Sequence, residues 1–201
     1  MEIATTRVGT CLFMGITYIG ALIMKKANLQ PQPLISEDEI SQRIDELASE
    51  ISSDYEGRDL VVIGVLKGAW VFMADLVRRL RCPLRCEFIR LKSYSGTETT
   101  GRVELIFDTT GSVEGRDLLI IEDIVDTGIT MDHLLRLLRE RGARSVEVCT
   151  LLDKPSRRVV DVPLRYVGFV VPDRFIVGYG LDLDEKFRNL PYIGVISPSE
   201  V

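Results

Sequence analysis

Residues 118 to 131 read Leu-Leu-Ile-Ile-Glu-Asp-Ile-Val-Asp-Thr-Gly-Ile-Thr-Met and decide the fold. The four large apolar residues Leu118 to Ile121 are typical of a strand that is buried on both faces, as strands are in a parallel sheet. Glu122 and Asp123 follow directly and predict the carboxyl end of that strand. Because open α/β sheets hold their ligands at the carboxyl ends of strands, we expect a binding site here.

The next residues predict an anion-binding loop. Asp126 to Thr130 are mostly small or hydroxylated, and the amphipathic run Asp132 to Arg141 predicts a helix. A glycine-bearing loop that leads into a helix presents backbone N–H groups to a phosphate. Carboxylates beside such a loop suit a ligand that also brings sugar hydroxyls and a divalent cation, so a sugar phosphate with Mg²⁺ fits. Alternatively, Asp126 or Thr127 only caps the helix.

The rest of the chain predicts a single α/β domain. Ser36 and Glu39 form a capping box, and apolar residues then recur at helical spacing. A second helix is predicted over Ala69 to Arg81. The predicted strands are Leu60 to Leu66, Arg85 to Leu91, Leu118 to Ile121, Ser145 to Leu151, Tyr166 to Val170 and Arg174 to Val177. Strands that alternate with helices favour a mostly parallel sheet flanked by helices.

Composition excludes several classes of protein. The chain has 201 residues, of which 46% are hydrophobic, and a net charge of −5. Such a chain can bury one substantial core, and its acidic balance argues against general binding of nucleic acid or anionic membranes. Cys11, Cys82, Cys86 and Cys149 lack zinc-site spacing and are expected to be reduced, mostly buried thiols. The single histidine, His133, is expected to be a solvated helix residue, which argues against a Ser/His or Cys/His couple.

Residues 1–33 are interpreted as an amino-terminal extension. Val8 to Met24 contains no charged residue and just reaches the roughly 17 to 25 residues of a membrane-spanning helix. It is a membrane anchor, a segment that packs on the domain or on a neighbour, or the result of a start assigned too early. We favour the early start, because Met24-Lys25-Lys26 and the polar residues after it resemble an ordinary cytosolic amino terminus. The expected location is therefore the cytoplasm.

Five segments together resemble one known family. They are Val65-Leu66-Lys67-Gly68, Leu91-Lys92-Ser93-Tyr94, Ile120 to Thr130, Leu152-Asp153-Lys154-Pro155 and Phe175 to Leu190. The third segment is similar to the phosphoribosyl pyrophosphate (PRPP) signature of the type I phosphoribosyltransferases, and the set resembles their hypoxanthine-guanine branch. The likeness runs from about Leu34 to Pro198. It implies a phosphoribosyltransferase domain over residues 34–201, with a small hood formed by the terminal segments.

The resemblance implies residues that hold PRPP and its metal. The PRPP-binding residues would be Lys67, Gly68, Asp126, Thr127, Gly128, Ile129, Thr130 and Arg188. Glu122 and Asp123 would meet the ribose hydroxyls or the Mg²⁺ bound there, and Asp182, near the purine, would be another metal ligand. The backbone at Lys67 and Gly68 would bind pyrophosphate, often with a cis peptide in this family. Read without the resemblance, these positions are surface ion pairs and an ordinary turn.

The resemblance also implies residues that recognise the base. Lys154 would donate to the exocyclic oxygen of a 6-oxopurine, Phe175 would stack on the ring, and the main chain of Ile176 would contact its edge. Asp126 would be the catalytic base that handles the proton at N7. A loop with Ser93 and Tyr94 would be a mobile flap that excludes water. The alternatives are a lysine in a turn, an aromatic core residue and a long connection.

The sequence therefore predicts a Mg²⁺-dependent transferase of purine salvage. It would join hypoxanthine or guanine to PRPP, giving IMP or GMP and pyrophosphate, and xanthine could also serve as a substrate. Small molecules are the expected partners, with no nucleic acid or membrane, and the chain is expected to form a homodimer or homotetramer. One alternative is a regulator that keeps the PRPP fold as a ligand sensor without catalysis. Another is a transferase for xanthine, adenine or a pyrimidine.

Overall fold

The structure, a computed structural model, describes residues 30–93 and 103–197. In these residues the helices are α1 (Glu37–Asp54), α2 (Trp70–Val77) and α3 (Ile129–Glu140), with a 3₁₀ turn at Pro155–Arg157. The strands are β1 (Gln32–Ile35), β2 (Leu60–Val65), β3 (Leu84–Ser93), β4 (Val103–Phe107), β5 (Asp117–Val125), β6 (Ser145–Asp153), β7 (Tyr166–Val170), β8 (Phe175–Val177) and β9 (Ile193–Ile196).

The strands form two sheets of different character. Across the described ranges, the larger sheet has the order β4-β3-β2-β5-β6-β7, and every neighbouring pair is parallel except β3 with β4. The smaller sheet, β1-β9-β8, is antiparallel and joins both ends of the described chain, as expected for the hood. Its first strand begins at Gln32 and straddles the predicted boundary between residues 33 and 34.

The four apolar residues Leu118 to Ile121 of β5 are buried on alternating faces of the large sheet. Leu119 and Ile121 belong to the core cluster that contains residues of α1 and α2. Leu118 and Ile120 belong to the second cluster, which contains residues of α3. Because successive side chains of a strand point to opposite faces, a run without polar residues is required where both faces are covered. The predicted doubly covered parallel sheet is confirmed.

The capping box of α1 is present as predicted. The backbone N–H of Ser36 donates to Glu39 Oε2 at 2.9 Å, and the N–H of Glu39 donates to Ser36 Oγ at 3.3 Å. The buried residues of the helix include all the apolar positions at helical spacing, namely Ile40, Ile44, Leu47, Ala48 and Ile51. The local sequence alone therefore predicted both the start and the buried face of this helix.

Other boundaries were predicted incorrectly. Helix α2 ends at Val77 and does not continue to Arg81. The N–H of Arg79 donates to the carbonyl oxygen of Leu76 at 2.9 Å and the N–H of Arg81 donates to Ser52 Oγ at 3.0 Å, so neither follows the i to i−4 pattern of an α-helix. Strands β1, β4 and β9 were not predicted. Each is short. Strands β1 and β9 pair with each other from opposite ends of the described chain, whereas β4 pairs with the preceding strand β3.

Strand β5 also extends beyond the predicted end. Glu122 and Ile124 remain paired with Thr150 and Leu152 of β6, whereas pairing with β2 stops at Ile121. The acidic pair therefore lies within the strand on one side, and beside the end of β2 on the other.

The described cysteines are free and mostly buried, as expected. Cys82 and Cys149 are free and buried, Cys86 is free and exposed, and His133 is exposed on α3. No helix within residues 30–93 and 103–197 is long and apolar enough to cross a membrane. Cys11 and the run Val8 to Met24 lie outside the described residues.

Asp117, at the amino end of β5, gives a prediction about stability. Its carboxylate accepts hydrogen bonds from Arg144 Nε at 2.8 Å and Ser145 Oγ at 2.7 Å, and its side chain is only 2% exposed. The hydrogen bond from Arg144 is the main cause that lowers the pKa of Asp117 to about 2. A carboxyl group whose pKa is lowered by folding stabilises the protein above its unfolded pKa, and loses this effect as the pH falls.

Asp117→Asn is therefore expected to lower the free energy of unfolding by roughly 2 kcal/mol at neutral pH. The difference from wild type should shrink as the pH falls from about 4 to about 2. Urea unfolding of both proteins at several pH values measures it. A difference that stays constant over this range would contradict the assigned role of the Asp117 carboxylate.

Candidate active site

The loop after β5 has the geometry of an anion-binding loop. Gly128 has φ +84°, and a Cβ there would lie 2.2 Å from the carbonyl oxygen of Val160, so only glycine fits. Among the described residues the N–H groups of Thr127 and Gly128 have no hydrogen-bond acceptor. Both groups lie at the amino terminus of α3, whose dipole favours a bound anion.

Side-chain capping does not explain this loop. Gly128 occupies the N-cap position of α3 and has no side chain to cap the helix. Thr127 Oγ1 lies 3.5 Å from the N–H nitrogen of Ile129, which is beyond the usual range for such a hydrogen bond. The alternative in which Asp126 or Thr127 serves only as a helix cap is therefore disfavoured.

Glu122, which is buried, and Asp123, which is partly buried, form a carboxylate pair. Burial, and then the charge of Asp123, raise the pKa of Glu122 well above its usual value. Burial also raises the pKa of Asp123, although the N–H of Ile124 donates to its Oδ1 at 2.7 Å and opposes the shift. Two adjacent carboxylates that are costly to ionise in the absence of a cation provide a favourable place for one.

Gly68 packs directly against Asp123. A Cβ at Gly68 would lie 1.4 Å from Asp123 Oδ2, and a Cβ at Gly180 would lie 2.1 Å from the carbonyl oxygen of Gly68. The peptide bond between Leu66 and Lys67 is cis, which matches the expectation for this turn. The turn after β2 thus lies beside the carboxylate pair of β5, as the sequence predicted.

Lys67 and Arg188 contact the same acidic segment. Lys67 Nζ lies 3.0 Å from Glu185 Oε1, and Arg188 Nη2 lies 2.7 Å from Asp182 Oδ1 and 3.3 Å from Glu185 Oε2. Asp182 Oδ2 also accepts the N–H of Glu185 at 2.8 Å. The predicted pyrophosphate-binding cations are therefore close together, although each is paired with a carboxylate here.

A cavity of about 900 Å³ collects the residues predicted to recognise the base. Its lining includes Asp126, Lys154, Phe175 and Ile176, and also residues of β9. Lys154 is 7% exposed, and its Nζ donates to the carbonyl oxygen of Arg174 at 2.9 Å. Phe175 is 40% exposed, so its ring is available to a ligand. The hood strands β8 and β9 form one wall, and β5 contributes Ile124 to the lining.

Three charged residues of the cavity were missed. Arg157, Asp173 and Arg174 all line it. Arg157 lies in the 3₁₀ turn after Lys154, and Asp173 lies between β7 and β8. An arginine after Lys154-Pro155 was a sequence signal that could have been followed, whereas nothing local identified Asp173.

Two of the three predicted metal ligands, Glu122 and Asp123, lie together. Asp182 does not complete a group of three with them in the described residues. In the described ranges, no group of three or more His, Cys, Asp or Glu residues is placed to hold a metal ion. Mg²⁺ is often bound through one or two carboxylates together with substrate phosphates and water. The donor set of Glu122 and Asp123 is compatible with that mode.

The predicted flap lies mostly outside the described residues. Ser93 is the last residue of β3, and Tyr94 lies outside the described residues.

The other predicted site residues fall into two adjoining groups. One lines the cavity and the loop before α3, and the other surrounds Gly68. Ile124 and Leu181 line the cavity next to Asp123 and Asp182 and so connect the two groups.

Known proteins resemble this chain over most of its length. Residues 36–184 match the family described as phosphoribosyl transferase domain. The hypoxanthine-guanine phosphoribosyltransferase of Bacillus subtilis is 51% identical over 167 residues, which cover 83% of this chain and 93% of that protein. The bifunctional protein TilS/HprT of Listeria monocytogenes is 52% identical over 166 residues, but the match covers only 26% of that longer protein.

A solved structure has the same architecture. The crystal structure of a hypoxanthine phosphoribosyltransferase from Staphylococcus aureus superimposes with a TM-score of 0.81 at 45% sequence identity. The match covers 86% of this chain and 94% of that one.

Proposed function

Because the chain belongs to the phosphoribosyltransferase family and has its type I fold, we propose that it transfers the phosphoribosyl group of PRPP to hypoxanthine or guanine. The products are IMP or GMP and pyrophosphate, and the role is purine salvage. The observation that carries the proposal is the cavity that contains Asp126, Lys154 and Phe175, next to the open N–H groups of Thr127 and Gly128.

The 5′-phosphate of PRPP is assigned to the loop before α3. The two open N–H groups and the positive end of the helix dipole suit a phosphate dianion. The hydroxyls of Thr127 and Thr130 supply further polar contacts. The carboxylates of Glu122 and Asp123, nearby on β5, face the ribose hydroxyls. This placement puts the anomeric carbon of the sugar between the cavity and Gly68.

Pyrophosphate is assigned to the turn around Gly68. The absence of a side chain there leaves the backbone accessible, and Lys67 and Arg188 supply positive charge. Their ion pairs with Glu185 and Asp182 rearrange when pyrophosphate binds, because the same cationic groups contact the new anion. In this arrangement the leaving group and the base lie on opposite sides of the sugar carbon.

The base is assigned to the cavity. Phe175 stacks on the purine ring, and Lys154 donates to the exocyclic oxygen, which adenine lacks. N9 of the base attacks the anomeric carbon while the bond to pyrophosphate breaks, and the proton on N7 passes to Asp126. A positioned carboxylate is effective only within hydrogen-bond reach of that proton, so the orientation of Asp126 matters.

Mg²⁺ is the proposed cofactor, and Glu122 and Asp123 would hold it. Asp182, predicted as a further ligand, does not complete a group of three with them in the described residues. A bound divalent cation would offset the cost of ionising these carboxyls, whose pKa values burial raises, and would neutralise charge on departing pyrophosphate. Chelation with EDTA is expected to abolish product formation, and added Mg²⁺ to restore it. Calcium at the same concentration is the control, because its coordination is larger and less regular. Full turnover in EDTA would contradict the assignment.

An assay with a panel of bases tests the function itself. Purified protein, PRPP and Mg²⁺ are incubated with hypoxanthine, guanine, xanthine, adenine and uracil in turn. We expect nucleotide only from the 6-oxopurines. Product only from adenine or uracil would assign another base, and no product from any base would favour a PRPP-binding regulator.

We also propose that the chain forms a homodimer or homotetramer. Size-exclusion chromatography with light scattering tests this.

Lys154→Met is expected to weaken recognition of the exocyclic oxygen. Because the side chain is buried, methionine keeps most of the apolar contact while removing the donor. The kcat/KM for hypoxanthine should fall roughly tenfold to a hundredfold, with the KM for PRPP nearly unchanged. Steady-state kinetics measures both values. Equal losses for both substrates would indicate that Lys154 supports the fold of the site and does not read the base.

A further inference from the structure

A row of alternating charges runs along the cavity. Arg157 Nε lies 3.1 Å from Asp126 Oδ1, and Arg157 Nη1 lies 3.6 Å from Asp173 Oδ1. Asp173 Oδ1 also lies 3.8 Å from Lys154 Nζ. Arg157 therefore lies between Asp126, which is proposed to take the N7 proton, and Asp173, which is close to the proposed oxygen donor Lys154.

The two oxygens of Asp126 have different surroundings. Oδ1 is fully buried and, in the described part of the chain, accepts no hydrogen bond of normal geometry, although the side chain as a whole is 39% exposed. Within the same residues the only ion pair of Asp126 is with Arg157. The exposed part of the carboxylate is therefore directed away from Oδ1, and Arg157 is the cationic group beside Oδ1.

The backbone keeps Arg157 beside Asp126. The N–H of Lys154 donates to the carbonyl oxygen of Val125 at 3.0 Å, and the N–H groups of Val159 and Val160 donate to that of Thr127 at 2.9 and 3.0 Å. The 3₁₀ turn with Arg157 is thus attached, before and after, to the residues on both sides of Asp126. Because the turn is hydrogen-bonded to the residue before Asp126 and to the residue after it, the backbone fixes the position of the turn relative to Asp126.

We propose that Arg157 is a positioning residue, which holds Asp126 by Oδ1 and so directs Oδ2 toward N7 of the purine. The inference rests on the proposed function. A charge-assisted contact to one oxygen restricts rotation of the carboxylate. Asp173 holds the other side of the guanidinium and limits its freedom in turn. Lys154, which shares Asp173, receives its orientation from the same row of charges.

A double-mutant cycle with Asp126→Asn tests this role. Arg157→Met is expected to lower kcat for hypoxanthine roughly tenfold to a hundredfold, and to change the KM for PRPP less than about twofold. Arg157→Lys should recover part of the loss, because it keeps the positive charge. In the Asp126→Asn background, Arg157→Met should lower kcat less than about twofold, since the group that it positions is already removed.

The control variant is Arg139→Met, an exposed position in the last turn of α3 with the same change of charge. It should retain wild-type kcat. An equal loss from Arg157→Met in both backgrounds, or a loss confined to the KM for PRPP, overturns the inference while the proposed function stands. If Arg157→Met does not fold, the same cycle is run with Arg157→Lys, and additive losses again overturn the inference. A wild-type protein that makes no product from any base refutes the proposed function first, and the inference with it.

Discussion

Asp126→Asn is expected to lower kcat by about 10²- to 10⁴-fold, the usual contribution of a positioned general base. Asparagine has nearly the same shape but cannot accept a proton from N7 of the purine. Steady-state kinetics with hypoxanthine and calorimetric titration with PRPP give turnover and binding separately. PRPP should bind with nearly unchanged affinity, because the N–H groups assigned to its phosphate belong to Thr127 and Gly128.

The matched control is Asp161→Asn, an exposed residue next to Val160 on the segment that is attached to the loop. It removes the same charge from the same region without altering the cavity lining. Wild-type turnover in Asp126→Asn would refute the assignment of the base. Loss of PRPP binding would instead give Asp126 a role in shaping the loop.

Gly68→Ala is expected to reduce activity more than about a hundredfold, because a displacement of about an ångström in a site is enough for such a loss. A methyl group at this position would lie 1.4 Å from Asp123 Oδ2, so either the turn or the carboxylate must move. Both are assigned to the same substrate, one to the pyrophosphate and the other to the ribose. Turnover and the KM for PRPP should therefore deteriorate together.

Gly111→Ala is the control for this substitution. The nearest atom to a Cβ there is Glu87 Oε1 at 3.6 Å, which is an ordinary contact. Thermal unfolding of both variants separates a damaged site from a damaged fold. Gly68→Ala with activity within about twofold of wild type and an unchanged melting temperature would show that the Gly68 backbone has no role in catalysis.

Two features of this fold are encoded by residues that are close together in the sequence. The capping box of Ser36 and Glu39 uses groups three residues apart, so the start of α1 is visible in the sequence. The apolar run of β5 likewise predicted a strand with two covered faces. The family resemblance identified Asp126, Lys154 and Phe175 as site residues. Only the fold shows that they line the same cavity.

Features that depend on distant partners were predicted poorly. Strand β5 continues past its acidic pair because β6 keeps supplying hydrogen bonds where β2 has ended. The hood strand β1 is paired with β9, from the opposite end of the chain. A short strand of this kind has little signal of its own, since its stability depends on the neighbour with which it pairs.

The sequence by itself determined the helix after Ser36, the parallel strands with two buried faces and the glycine-bearing loop at a strand end. Each of these depends on the spacing of residues that are close together in the chain. Only the tertiary structure decided that Gly68 packs against Asp123 and that Arg157 lies beside Asp126. The two residues of each contact are far apart in the sequence. The path of the backbone between them therefore decides whether they meet, and no local pattern predicts it.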